Sequence, residues 1–354
     1  MNFNDVDTVF FGPMTGELGW ACSRWHAWCR YRRFIEFPNA KAIAADYDWR
    51  YPLYSDFIDE FIPLPTWFTD IGLEQDCYES VTLDAPAGGV MPGDVYSSLL
   101  QHYQQYYNPQ TTWTVRPPRG CNFIIQERAR QMWKTLECSP QAKDYVDSVL
   151  DGRNREVIVV SARARGRAEN RNVPEWVWDE VVNTIAKSFT VVITGTQHSS
   201  SLVKKVGRDI INMIPRTGVD GLDVLIALMH RARMSVTSQS GPTLISLLCE
   251  TPSYIVGHEA ERHSKTENFL NAPAMFRTVP YNVYASVTPE TMINDIYNFH
   301  RSVVEAEHVL NHTYNLCHNE DRETMHSLLV EDVNLYRLPA DNMRQEIIHG
   351  KPQR

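Results

Sequence analysis

The feature that most restricts the fold is a relay of five short β-prone runs between residues 157 and 256, each but the last followed by a segment of helix length. Val157–Ser161 reads VIVVS, 190–194 TVVIT, 210–213 IINM, 234–237 MSVT and Ser253–Val256 SYIV. Runs without polar alternation belong to strands covered on both faces, as in a parallel sheet. Between them, 174–188, 199–206, 221–232 and 243–249 have the length and patterning of helices. Strands alternating with helices imply βαβ units with right-handed crossovers. That handedness sets the strands' C-terminal ends along one edge of the sheet, where ligands of such folds bind.

The amino-terminal half begins the same way. A β-prone run at 8–11 leads into GPMTGELGW, with Gly12, Gly16 and Gly19, and then into a helix expected over 21–34. A second buried strand is expected at 40–45, and a strand or turn near the sheet edge at 57–64. The stretch 84–118 is looser, rich in Pro, Gly and Tyr, with helical character over 95–107. Helices are expected over 126–136 and 139–150, the latter opened by Ser139-Pro140, because proline at the first helical position loses no needed hydrogen bond. A polar turn, Asp151-Gly-Arg-Asn-Arg155, follows. The length of 354 residues suits two domains. The expected division is 1–150, 151–287, and a final helix with an irregular tail over 288–354 that packs back on the amino-terminal domain.

Acidic residues outnumber basic ones, 43 to 34, for a net charge of −9. That argues against a protein coated in basic charge for nucleic acid, though a local basic face is present. Seven scattered cysteines, none in a C-x-x-C pair, argue against a disulfide framework or zinc knuckle. The start MNFNDVDTVFFG lacks a basic, apolar leader. No run reaches the roughly 18 apolar residues of a membrane span. The expectation is a cytoplasmic chain with reduced thiols and no membrane insertion.

The strongest chemical signal is Ser238-Gln-Ser-Gly-Pro-Thr243, between a strand and a helix. Free backbone N–H groups and the helix dipole make such a start an anion site suited to a diphosphate. Gly241 permits close approach, and Ser238, Ser240 and Thr243 supply hydroxyls. The plainer alternative is a helix cap, with Ser240 capping and Pro242 in the first turn. The run ARMSVTSQSGPTLISLLCETPSYIVG, 232–257, resembles the nucleotide-binding segment of the heptosyltransferase-like glycosyltransferases: strand, S/D-x-S-G-P turn, small-residue helix, G-x-P and strand. Glu250-Thr-Pro252 stands in the G-x-P slot, and the loop Gly257-His-Glu-Ala-Glu-Arg-His263 departs from the pattern.

The resemblance implies two Rossmann-like domains facing each other across a cleft, the GT-B architecture, with the donor on the C-terminal one. It places Gly16-Glu-Leu-Gly19 as the loop that supplies a catalytic base, with Glu17 in the acidic position where the family more often has Asp. A solvated turn residue is the other reading of Glu17. Arg163 and Arg165, after the strand ending at Ser161, are expected to hold phosphate oxygens, with Gly195, Thr196, Gln197 and His258 also near the donor. Any of these can instead be plain turn or surface. Gly16, Arg24 and Trp25 are the acceptor candidates, although the spacing of Trp25, Trp28 and Tyr31 equally suits a core face. The implied activity is transfer of a hexosyl or pentosyl group from a nucleoside-diphosphate sugar to an acceptor hydroxyl, inverting and without a metal or other cofactor. The acceptor is a glycan, a lipid-linked sugar or a hydroxymethylated base in viral DNA. A non-catalytic nucleotide-sugar module and an epimerase of the same architecture stay open, as does the oligomeric state.

Overall fold

The computed structural model describes residues 6–16, 18–70, 93–117, 132, 134–164, 169, 172–196, 200, 207–214, 221–257, 274–279 and 288–316. The expected helix at 199–206, apart from Ser200, and the tail beyond 316 lie outside them.

Two parallel sheets are present. The first contains β1 (Thr8–Phe11), β2 (Lys41–Asp46), β3 (Glu60–Pro63) and β4 (Thr112–Val115), in the order β3-β2-β1-β4. The second contains β5 (Val157–Ser161), β6 (Thr190–Ile193), β7 (Ile210–Asn212), β8 (Met234–Ser238), β9 (Ser253–Val256) and β10 (Phe276–Val279). Its order, β10-β9-β8-β5-β6-β7, is the doubly wound arrangement in which strand order reverses between β5 and β8. In a doubly wound sheet ligands bind at such a reversal, outside the strands' C-terminal ends.

The helix after β1, called α1, runs continuously over 18–36 and alternates α and π hydrogen bonding. It begins three residues earlier than expected. The remaining helices are α2 (Thr66–Thr69), α3 (Gly93–Tyr103), α4 (Pro140–Leu150), α5 (Glu175–Ile185), α6 (Leu222–Arg231), α7 (Gly241–Leu248) and α8 (Pro289–Leu316). No helix among the described residues is long and apolar enough to cross a membrane.

Alternation along the strands sorts the core into layers. Val9, Phe11, Ala42 and Ala44 of the first sheet share one buried cluster with Val157, Val159 and Val192 of the second. Ala21, Cys22, Trp25 and Cys29 of α1 join it, as do Leu225, Ile226, Ile245 and Leu248 of α6 and α7. The two lobes therefore meet through a continuous apolar layer. On the far face of the second sheet, Ile158, Val160, Val191 and Ile193 pack with Trp178 of α5 and with Met292, Ile296, Phe299 and Val303 of α8. On the far face of the first, Phe10, Ile43 and Ile62 pack under Leu99 and Tyr103 of α3.

Three expectations change. The described side chains of α8 pack on the second sheet, so the return to the amino-terminal domain is not made by them. Helix α4 packs with α6: Ser139 N and Oγ both bond Asp223, the former at 2.9 Å, and Arg231 pairs with Asp147 at 2.9 Å. The chain thus joins the second lobe before Ser139 rather than at the polar turn 151–155. Residues 134–139 are not helical; Leu136 N instead donates to Leu248 O at 3.0 Å and His230 Nε2 sits 2.7 Å from Leu136 O, so tertiary hydrogen bonds replace the helical ones. The rest of 126–136, apart from Met132, lies outside the described residues.

Candidate functional site

The glycine-rich loop is held at the C-terminal edge of the first sheet. Gly12 N donates to Val115 O at 2.9 Å, and Met14 N to Ala45 O at 2.8 Å, which staples the loop between β4 and β2. Gly12 adopts φ +123°, and a Cβ there would lie 2.6 Å from Ala45 O, so only glycine fits. Gly16 is buried. Glu17 lies outside the described residues, but Leu18 beside it is half-buried and meets the other lobe. A Cβ built on Gly241 would stand 3.2 Å from Leu18 Cδ2. The loop expected to carry the base therefore abuts the helix start expected to carry the diphosphate.

That helix start is built by inward hydrogen bonds. Ser238, fully buried, accepts the Arg163 N–H at its Oγ, 3.1 Å away. Its carbonyl accepts from Ser240 Oγ at 3.0 Å and lies 2.7 Å from Thr243 Oγ1. Thr243 Oγ1 is also 2.9 Å from Thr237 Oγ1 and 3.4 Å from Ser240 N. The hydroxyls expected to bind a ligand are thus turned into the protein, because three of them close the turn. The outward resources of this segment are the backbone and dipole of α7, with Pro242 in its first turn.

The neighbouring loops are tied to the same floor. Arg163 is 5% exposed; its guanidinium donates to Asn172 Oδ1, and its backbone bridges Ser200 in antiparallel fashion. Arg163, expected to hold phosphate oxygens, is thus folded against its own loop in this structure. Gly195, at φ +140°, leaves room for the Ser200 hydroxyl, into which a Cβ would collide, and Thr196 N donates to that hydroxyl at 2.9 Å. Arg165, Gln197 and His258 lie outside the described residues. The loops after β5, β6 and β8 therefore converge, through Arg163, Ser200 and Ser238, at the reversal of strand order.

Sequence reasoning passed over Gln239. Its N–H donates to Val256 O at 3.1 Å, the residue is 6% exposed, and its buried Oε1 has no hydrogen-bond partner among the described residues. A polar residue inside the turn was the available signal.

The acceptor candidates fare differently. Trp25 is 2% exposed, and its Nε1 donates to Tyr54 Oη at 2.9 Å, so it is core and not a sugar platform. Arg24 lies in α1, with its side chain outside the description. Tyr54 Oη in turn donates to Asp46 Oδ2 at 2.7 Å, while Asp46 Oδ1 accepts from Tyr47 N at 2.7 Å and Arg50 at 3.2 Å. Burial pushes the Asp46 carboxyl up to about 6, offset in part by Arg50 and by its hydrogen bonds. The same burial pushes the Cys22 thiol up to about 12. No group of three or more His, Cys, Asp or Glu among the described residues is placed to hold a metal ion.

No family model matches the chain, and no curated protein matches it either. Solved structures do. The ADP-heptose LPS heptosyltransferase II of E. coli superposes with a TM-score of 0.53 over 84% of this chain and 99% of its own, at 13% identity. The fold is heptosyltransferase-like. A glycosyl transferase family 9 protein from Veillonella parvula gives a TM-score of 0.54 at 12% identity, covering 83% of this chain and 97% of that one. The two-lobed GT-B arrangement expected from the 232–257 segment is thus the architecture present.

Proposed function

We propose that this protein transfers a glycosyl group from a nucleoside-diphosphate sugar to an acceptor hydroxyl. The observation that carries the reading is the contact between Leu18 and Gly241. It brings an acidic loop of one sheet to the helix start at the crevice of the other. Catalysis of glycosyl transfer needs these two things together: a base for the acceptor proton and a positive site for the departing diphosphate.

In this scheme Glu17 removes the proton from the acceptor hydroxyl. The acceptor oxygen attacks the anomeric carbon from the face opposite the leaving group, and the bond from that carbon to the diphosphate oxygen breaks. The diphosphate departs with the electron pair and inverts the centre. The N-terminus of α7, with Arg165 from the loop after β5, meets the charge on the diphosphate without a metal. A glycan, a lipid-linked sugar or a modified DNA base can present the hydroxyl; the net charge of −9 favours the first two.

The test is a thermal-shift panel of UDP-, GDP-, ADP- and CMP-linked sugars without added metal. One donor should raise Tm, since a ligand that binds only the folded state stabilises it. Glu17→Gln should keep that shift and lose turnover by at least 100-fold, in line with removal of a general base. No shift with any donor, or full turnover in Glu17→Gln, overturns the scheme.

A further inference from the structure

Among the described residues, Glu250 alone of the non-glycines has a positive φ, +59°. It follows α7 at the position where helices favour glycine. Glu250 N donates to Leu247 O at 3.1 Å and Thr251 N to Ser246 O at 3.0 Å, the paired bonds that close a helix on a left-handed residue. The turn is held in that conformation from outside. Thr251 Oγ1 donates to Met229 O of α6 at 2.8 Å, and Pro252 O accepts from Ser235 N of β8 at 2.8 Å. A residue with a Cβ is strained there and glycine is not. Strain that the surroundings enforce points to a use for the side chain that causes it.

The Glu250 carboxylate accepts a hydrogen bond from Thr135 Oγ1. Thr135 belongs to the segment that carries the chain from the first lobe to the second. Before it, Met132 O accepts from Arg30 Nε of α1 at 2.7 Å. After it, Leu136 is held by the second lobe, its N–H on Leu248 O at 3.0 Å and its carbonyl 2.7 Å from His230 Nε2. The first lobe's hold thus gives way to the second's between Met132 and Leu136, and Thr135 stands in that crossing. At its other end α7 meets the first lobe directly: a Cβ on Gly241 would stand 3.7 Å from Leu18 Cβ. We infer that α7 is a strut that sets the opening between the lobes, and that Glu250, gripping Thr135, is the latch at its C-terminal end. While the latch is made, the linker lies on the second lobe and Leu18 stays at Gly241. For the lobes to part, the linker must peel from this turn, and the Thr135–Glu250 bond is the linker's bond nearest the first lobe. The latch is independent of what the cleft binds.

The experiment compares the full chain with Glu250→Gly, Thr135→Val and the double variant; glycine fits the left-handed turn, so the first variant folds. Hydrogen exchange at the Leu136 amide, followed by NMR, should quicken about threefold or more in each single variant, the size of one exposed hydrogen bond. The double variant should be no faster than the singles, as for two residues of one interaction. A second measurement places Leu18→Cys and Gly241→Cys in the chain, since that Cβ separation suits a disulfide. Glutathione disulfide oxidises the two thiols to the bond and is itself reduced to two glutathione thiols. The effective concentration of the pair in this equilibrium reports the lobe contact, and Glu250→Gly should lower it about threefold or more. Unchanged Leu136 exchange in either single variant, accelerations that multiply in the double, or an unchanged effective concentration overturns the latch. So does a cysteine pair that fails to join while Glu250 is in place.

Discussion

Asp46 and Arg50 stand four residues apart at the end of β2, and neither side chain has any exposure. Arg50 also lies over the rings of Tyr47 and Trp49, at 4.7 and 4.8 Å. Breaking one half of such a pair strands the other charge in the interior. Asp46→Asn should therefore cost about 3–5 kcal/mol, read as a lower midpoint in urea. An Asp46→Leu, Arg50→Met double variant should sit closer to the wild type than either single change. His26 gives a prediction of opposite chemistry. It is 1% exposed, and burial, with Arg30 nearby, lowers it from 6.5 to about 3. Its unfolded form takes a proton below about pH 6.5 that the folded form refuses until near pH 3. Stability from this group is thus complete above pH 6.5 and falls with acid by about 1.4 kcal/mol per unit within that window. Asp46 works the other way: its raised value favours the folded state at low pH, and that contribution fades as pH rises from about 4 to about 6. Denaturation of His26→Gln across pH 4–7 should show a flatter acid slope than the wild type. None of this was visible in the sequence. The spacing of Trp25 suited a core face as well as an acceptor surface, and nothing singled out Asp46, because the groups that claim them, Tyr54 and Arg50, lie in the turn after β2.

Element by element, the second sheet was the most legible part. Strands such as VIVVS are apolar throughout because both faces are covered, and β5 and β9 fall where the pattern placed them. Strands β4 and β10 were missed: TWTV and FRTV are short, mixed and set at sheet margins, where one side lacks the apolar neighbours that write a pattern. Helix α8 was anticipated, but not the second sheet as the partner of its described side chains, since an amphipathic face does not name its partner. Phe299 on that face is 3% exposed and meets Tyr254 with ring centroids 6.3 Å apart. Phe299→Ala should cost about 3–5 kcal/mol, measured by chemical denaturation, while leaving any nucleotide affinity at saturating stability unchanged.

For the molecule as a whole, function depends on the lobes meeting correctly, and that meeting has a small gauge. Gly241→Val should push against Leu18, weaken donor binding at the α7 start and lower Tm. Leu18→Ala combined with Gly241→Val should recover part of both, a non-additive pair as expected for residues in contact. The site was legible as a turn and a loop in the right order along the chain. The inward use of the Ser238, Ser240 and Thr243 hydroxyls, and of Arg163, was not, because each partner comes from a different segment.

The closeness of Leu18 to Gly241 bears on the order of events in turnover. A diphosphate arriving at the α7 start enters space that Leu18 borders, and Leu18 is covalently next to Glu17. Under the proposed scheme, seating the donor would adjust the backbone next to Glu17, so that the acceptor would find a competent partner only afterwards. The kinetic expectation is a compulsory sequence, donor first and nucleoside diphosphate last. Product-inhibition patterns would show it as competition between nucleoside diphosphate and donor alone, and Leu18→Ala should relax the sequence toward random entry.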